Sequence, residues 1–395
     1  MNNKEIIFHL SLIDGIGPVT IKKILDQKPI KMELADLYKL RVSDFVHVFG
    51  MSKTGAQKIV DGLRNKKNLE KELRLIETHN ISWTVLGQDG FPKLLSEIYA
   101  PPSVFYFQGA GFFDEKNMAV IGSRKAHRYA QQTIEYFVPE LIEHGWTIVS
   151  GGAIGADSMA HHAAVQARGK TVVVLGSGLL KPYPASNRKL FNEVLQNGGT
   201  ILSAFPLQTE ARPGNFPARN RIIAGLSHGC MVVQAAEKSG ARITAQFALE
   251  QGREVFAVPG PIGDELSIGC HALIQEGAKL IGSVKDILVE FDPLFVENPS
   301  TGSGCSSGQA IKKQVAVQKK QRPVAPSAPV DSRKDLSSLT DLEADIVRAC
   351  SVASTADDIA CAVKVEPGVL HERLLDLQFS GYIRQNFAGL WEQTP

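Results

Sequence analysis

Arg219, Asn220 and Arg221 stand together just after Phe216 and Pro217, ahead of an apolar run from Ile222 to Leu226 that reads as a helix. Guanidinium forks and an amide at the start of a helix suit phosphate oxygens. The forks bind two oxygens at once, and the helix end adds free N–H groups and a positive field. Short basic clusters also cover sheet edges or pair with acids, so the tripeptide alone leaves both readings open. Its surroundings favour the first. Gly122-Ser123-Arg124, Ser150-Gly151-Gly152-Ala153 and Gly176-Ser177-Gly178 each follow a short apolar run. Turns of this kind present backbone N–H groups to anions, although tight turns also want glycine for geometry alone. A string of them with Arg124, Arg219 and Arg221 interleaved reads as a phosphate-lined groove. Tyr183 and Phe216 read either as stacking platforms for bases or as ordinary packing.

Other chemistries find no support in the residue pattern. There is no G-x-x-x-x-G-K-[ST], and no G-x-G-x-x-G opens a helix after a first strand, so neither a P-loop nor a dinucleotide site is expected. His161 and His162 lie mid-helix near Asp157 and read as packing or surface histidines rather than metal ligands. No carboxylate pair and no Ser-His-Asp set stands out. No catalytic residue, metal or cofactor is therefore predicted. The five cysteines are scattered without C-x-x-C spacing, which points to reduced thiols in the cytosol. Lys and Arg (43) almost balance Asp and Glu (41), so any nucleic-acid surface must be local. The first residues lack the plan of a signal peptide, and no apolar run approaches the roughly 20 residues that cross a bilayer. A cytoplasmic protein without membrane attachment is expected.

The elements that must position these residues follow from periodicity. Between residues 81 and 295, short apolar runs alternate with amphipathic ones. Strands are predicted at Trp83–Leu86, Val104–Phe107, Met118–Ile121, Thr147–Val149, Val172–Leu175, Thr200–Leu202, Met231–Gln234 and Val255–Val258. Helices are predicted at Tyr129–His144, Ser158–Arg168, Asn187–Gln196, Ile222–Leu226, Thr244–Gln251 and Cys270–Gly277. Apolar strands alternating with helices argue a doubly wound, Rossmann-like α/β domain with a parallel sheet covered on both faces. Ligands of such sheets bind beyond the carboxyl ends of the strands, where the Gly, Ser and Arg residues fall.

Residues 1–80 read as a small helical domain. A helix at Ile6–Leu12, the turn Gly15-Ile16-Gly17-Pro18 and a second helix resemble a helix-hairpin-helix, SAM-like unit, with a looser copy at Gly50–Leu63. Such a unit either binds phosphate at the turn or serves as a packing module. Residues 296–338 are rich in Ser, Gly, Pro, Lys and Gln, and read as a disordered linker. Residues 339–395 read as three helices and a two-stranded wing, a winged-helix domain opened by Thr340 as N-cap and Glu343 three residues on. Its third helix carries acids beside His371 and Arg373, which favours an accessory or protein-interaction role over strong duplex binding.

The blocks GSR at Gly122–Arg124, SGGAIGADSMAHHAA at Ser150–Ala164, VVVLGSGLLKPYPASN at Val172–Asn187, FPARNRIIAGLS from Phe216, SGARITAQFALEQGREVFAVPG and GCHALIQEGA resemble the DNA-processing protein A (DprA/Smf) family in type and order. The resemblance implies an α/β domain that binds single-stranded DNA and dimerises. It also implies a partnership with the RecA recombinase, which such proteins help to load onto incoming DNA in natural transformation. It places DNA contacts at Gly122, Ser123, Arg124, Gly151, Gly152, Lys181, Tyr183, Asn187, Arg188, Phe216, Arg219, Asn220 and Arg221. Relatives often carry a lysine directly after Tyr-Pro. Here Ala185 stands there, so Lys181, Arg188 or Lys189 would serve. Two rivals come from other classes. One is a nucleotide-processing enzyme like the lysine-decarboxylase-like phosphoribohydrolases, whose PGGxGTxxE is absent. The other is a transcription regulator working through the winged helix.

Overall fold

The computed structural model describes residues 2–111, 116–291, 339–351 and 356–363, with shorter runs between 365 and 393. It forms two compact units, Met1–Ser303 and Gly304–Pro395. The predicted linker, 296–338, lies outside the described residues.

The first unit opens with helices α1 (Asn3–Ser11), α2 (Pro18–Gln27), α3 (Val42–Phe49), α4 (Lys53–Arg64) and α5 (Lys67–Thr78). Local chemistry sets their ends. The Asn2 side chain accepts the Glu5 amide at 2.9 Å and Glu5 reaches back, a capping box for α1. Pro18 starts α2, where its missing N–H costs nothing. Gly50 closes α3 at φ +56°, a conformation glycine adopts without strain. Phe8, Ile21, Ile24, Phe45, Phe49 and Ile59 are fully buried between these helices, and the same core continues into Val85, Tyr106, Val173 and Phe191 of the α/β part. The helical segment therefore shares its core with the sheet across residue 80.

The α/β part runs β1 (Ser82–Val85), α6 (Lys93–Ser96), β2 (Val104–Gly109), β3 (Asn117–Ile121), α7 (Arg128–Glu143), β4 (Thr147–Ser150), α8 (Ala156–Gln166), β5 (Thr171–Leu175), α9 (Arg188–Gln196) and β6 (Thr200–Ser203). It continues with α10 (Asn215–Leu226), β7 (Gly229–Val232), α11 (Gly240–Glu250), β8 (Glu254–Ala257), α12 (Ile268–Gln275), β9 (Lys279–Leu280) and α13 (Lys285–Phe291). The nine strands form one sheet in the order β1-β2-β6-β5-β4-β3-β7-β8-β9. After β1 and β2 at one edge, the parallel part starts in the middle at β3, winds out to β6, then returns to β7 on the other side of β3. This is the doubly wound arrangement. Alternate residues serve opposite faces. Ala119 and Ile121 pack toward α10 and α11, while Met118 and Val120 pack toward α7 and α8. That is why these strands read as unbroken apolar runs.

Two features differ from the predicted all-parallel sheet. β2 runs antiparallel to β6, and β1 antiparallel to β2. Only the one-turn α6 lies between β1 and β2, too short for a helical crossover that would return the chain parallel. The short β9 also adds a strand, and two residues are too few for any periodicity. The start of α10 shifts as well, from Ile222 back to Asn215. Pro217 occupies the first turn of this longer helix, where no intrahelical N–H bond is lost.

The second unit contains α14 (Asp341–Ala349), α15 (Ala356–Val363) and the antiparallel pair β10 (Ile383–Gln385) and β11 (Trp391–Gln393). Thr340 and Glu343 form the predicted capping box. Ile346, Ile359, Leu370, Leu374, Ile383 and Trp391 share a core. Most of the predicted third helix and the turn at Ala388-Gly389 lie outside the described residues.

Candidate nucleic-acid interface

The carboxyl ends of β3, β4 and β5 form a rim. Arg124, three residues past β3, is exposed, and its guanidinium carbon lies 4.9 Å from the centre of the Phe216 ring. Phe216 sits in the first turn of α10. Its ring is 5.9 Å from that of Tyr183, which is half exposed. A cation on an aromatic face gains about 0.5–1 kcal/mol at such sites, which helps to hold the fork over the ring. Lys181 and Arg188 are exposed on the segment flanking Tyr183. Sequence-predicted residues thus meet here as a cation, two aromatics and further basic side chains.

Beneath this surface lies Arg219, only 4% exposed. One Nη donates to the carbonyls of Gly151 and Val174, the latter at 2.6 Å, and Nε donates to Asn220 Oδ1 at 3.1 Å. Those two carbonyls lie at the ends of β4 and β5, so the guanidinium caps the sheet. Asp157, in the first turn of α8, is buried beside it and accepts the Ala153 amide at 3.3 Å. Burial pushes the Asp157 carboxyl up and the Arg219 guanidinium down, and the attraction between them opposes both shifts. A Cβ on Gly151 would stand 2.3 Å from Arg219 Nη1 and 2.6 Å from Asp157 Oδ2. Glycine at 151 leaves room for this pair.

The remaining predicted residues divide. Arg221 follows Arg219 by two positions, about 200° around a helix, so it leaves α10 on the opposite face. It is half buried there, and burial pushes its guanidinium down. The proposed arginine triplet is therefore not one surface: Arg124 faces solvent, Arg219 is internal and Arg221 points elsewhere. Asn220 bonds Arg219, and Asn187 donates to the Gly152 carbonyl at 3.0 Å, so both amides brace the rim. Gly122 packs against Ala156, and Gly152 against Val173 and Phe191. Several amides expected to face outward are engaged internally: Ser123 N on Gln234 O, Ala153 N on Asp157 and Gly178 N on Thr209 O. The partnership of Asp157 with Arg219 and the bracing by Asn187 were missed from sequence, because nothing local marks a contact between distant segments.

His161 takes the packing role. It is fully buried, with Nδ1 2.8 Å from Thr171 Oγ1. Burial holds its imidazole down at about 3. The unfolded chain then binds a proton that the folded chain refuses, so stability is fully present above pH 6.5 and falls as pH drops toward 3. Urea midpoints across that window are expected to lose up to roughly 4 kcal/mol from this group. In a folded His161→Asn protein, whose amide can still donate to Thr171, the curve should be flatter. An equally steep curve would assign the loss to other groups.

Comparison with known proteins bears on the whole arrangement. The family model described as DNA recombination-mediator protein A matches residues 82–292, and a SAM-like helix-hairpin-helix tandem matches residues 8–65. DNA processing protein DprA of Streptococcus pneumoniae is 43% identical over 212 residues, 53% of this chain and 74% of that protein. DprA of Bacillus subtilis is 40% identical over 224 residues, 56% of this chain and 75% of that protein. The crystal structure of the Streptococcus pneumoniae protein is similar, with a TM-score of 0.64 at 34% identity, covering 74% of this chain and 99% of that one.

Proposed function

Because the chain belongs to the DNA recombination-mediator protein A family, we propose that it binds single-stranded DNA along the rim of Arg124, Phe216 and Tyr183, and helps load the RecA recombinase onto incoming DNA in natural transformation. The observation that carries this reading is the exposed guanidinium of Arg124 resting on the Phe216 ring. A single strand offers a phosphate and an unpaired base face within one nucleotide, and a cation next to an aromatic meets both. A duplex offers the phosphates but keeps its bases stacked. Gly122, Ser123, Gly151 and Gly152 shape the turns that carry this surface, and buried Arg219 braces them from beneath. Lys181 and Arg188 would extend the phosphate path along the flank of Tyr183.

In this reading the protein is a mediator without a reaction of its own. It acts in the cytoplasm as a homodimer formed through the α/β domain. No helix among the described residues is long and apolar enough to cross a membrane. The C-terminal unit would be a winged helix in an accessory role. Its Arg373 is shared between Glu343 at 3.4 Å and Asp376 at 3.8 Å, which leaves little free charge for duplex phosphates.

Competition binding of single-stranded against duplex DNA, with and without the recombinase, tests the proposal. Preference for the single strand is expected, and equal affinity for both would reject it. Release of free base from a nucleoside monophosphate would instead support the phosphoribohydrolase-like alternative. Phe216→Ala and Tyr183→Ala should each weaken single-strand binding by about 1–3 kcal/mol per lost stack, with the salt dependence unchanged. Filter binding at several salt concentrations separates that result from a lost phosphate contact, which would flatten the slope.

A further inference from the structure

The helical segment meets the loops of the rim through its shared core, which includes Leu179 and Leu207, and through one hydrogen-bonding side chain. Glu72, mid-way along α5, is 5% exposed and lies on the buried face with Leu69 and Ile76. Its Oε1 accepts the amide of Leu207, and the hydroxyl of buried Tyr106 on β2 bonds the same carboxylate. Leu207 belongs to the segment between β6 and α10. That segment lies pressed against the one after β5: Leu180 N donates to Leu207 O at 2.9 Å, and Gly178 N to Thr209 O at 2.8 Å. A Cβ at Gly178 would stand 2.2 Å from Pro206 O and 2.3 Å from Leu207 O. One of these segments runs on to Lys181 and Tyr183. The other runs on to Phe216 and Arg219.

We propose that Glu72 is a positioning residue for strand binding, coupling the docking of the helical segment to the two loops that carry the aromatic part of the rim. The proposal rests on the reading of that rim as a single-strand surface. An apolar residue at 72 would fill the space but leave the Leu207 N–H and the Tyr106 O–H without their acceptor, which disfavours the present path of both loops. Coupling of this kind is reciprocal: a strand that orders the rim strengthens the Glu72 clasp by the factor that the clasp strengthens strand binding. Whatever loosens α5 from the sheet therefore weakens the grip on DNA, although α5 need not touch the strand.

The test uses the full chain and a fluorescent oligothymidylate. Glu72→Leu is expected to bind about 5- to 100-fold more weakly, the range for the rim-side donor of the two, the Leu207 amide, left unpaired. Glu72→Gln keeps an oxygen for the Leu207 amide and should stay within about threefold of wild type, a rescue that loss of charge alone would not allow. Hydrogen exchange of the wild-type Leu207 amide should slow when the oligonucleotide is bound. Wild-type affinity in a folded Glu72→Leu protein would overturn the coupling. So would unchanged exchange at Leu207 under saturation, and that measurement stands even if the leucine variant fails to fold. Failure of the wild type itself to bind the oligonucleotide would overturn the rim reading and this coupling with it.

Discussion

Arg219→Ala is expected to cost about 1–3 kcal/mol of stability or more, the range for each buried hydrogen-bonding group left without its partner. The truncation leaves Asp157 buried without its counter-charge and strips the carbonyls of Gly151 and Val174 of their donor. Lysine at 219 is a poor substitute, because a single ammonium lacks the planar fork that reaches two strand ends and Asn220 together. Gly151→Ala should reproduce much of the loss from the other side, since its Cβ would fall 2.3 Å from the guanidinium. Arg219→Met combined with Asp157→Leu should cost less than the two single changes added, because it removes both buried charges at once. Urea unfolding at neutral pH measures these variants together with the single changes Arg219→Met and Asp157→Leu. A loss below about 1 kcal/mol for Arg219→Ala, the size seen for exposed pairs, would show that the guanidinium is not held inside.

The same residue shows how far the sequence alone could be read. The strands of the α/β part stand out because both faces of the sheet are covered, which leaves their apolar runs unbroken. The position of Arg124 beyond the third strand was legible for the same reason. Arg219 was visible as a basic residue in the right region, but its side of the protein was not. With α10 taken to begin at Ile222, Arg219 seemed to sit in a loop before a helix. With the helix beginning at Asn215, Arg219 falls in register with Ile222, Ile223 and Leu226 at i+3, i+4 and i+7, the buried stripe. The pattern was present in the sequence, but the apolar run from Ile222 to Leu226 marks only its second half. Contacts that join distant segments, such as Asp157 with Arg219 or Glu72 with Leu207, leave no periodic trace. Their residue types announce only a charge. The antiparallel pairing of β1 and β2 was equally hidden, because alternation and apolarity specify a strand and not its direction.

Arg124→Ala carries the largest expected effect on DNA binding. Its guanidinium is exposed and rests on Phe216, within reach of a phosphate that approaches the rim. A charge-assisted hydrogen bond of that kind is worth about 1.5–3 kcal/mol, so affinity for a single strand should fall about 10- to 100-fold. The slope of log K against log salt should also become shallower by about 0.7, one counterion's share on a single strand. Arg124→Lys separates charge from shape: the slope should be retained, while part of the affinity is lost with the fork and its stacking on the ring. Arg221→Ala is the internal comparison. It removes an equal formal charge from the face of α10 turned away from Arg219, and neither affinity nor slope should move. Equal losses from Arg124→Ala and Arg221→Ala would mean that the strand follows net charge around the domain. Loss at Arg124 alone, with the slope change, would place a phosphate against Phe216 and fix where the strand crosses the ends of β3 and β5.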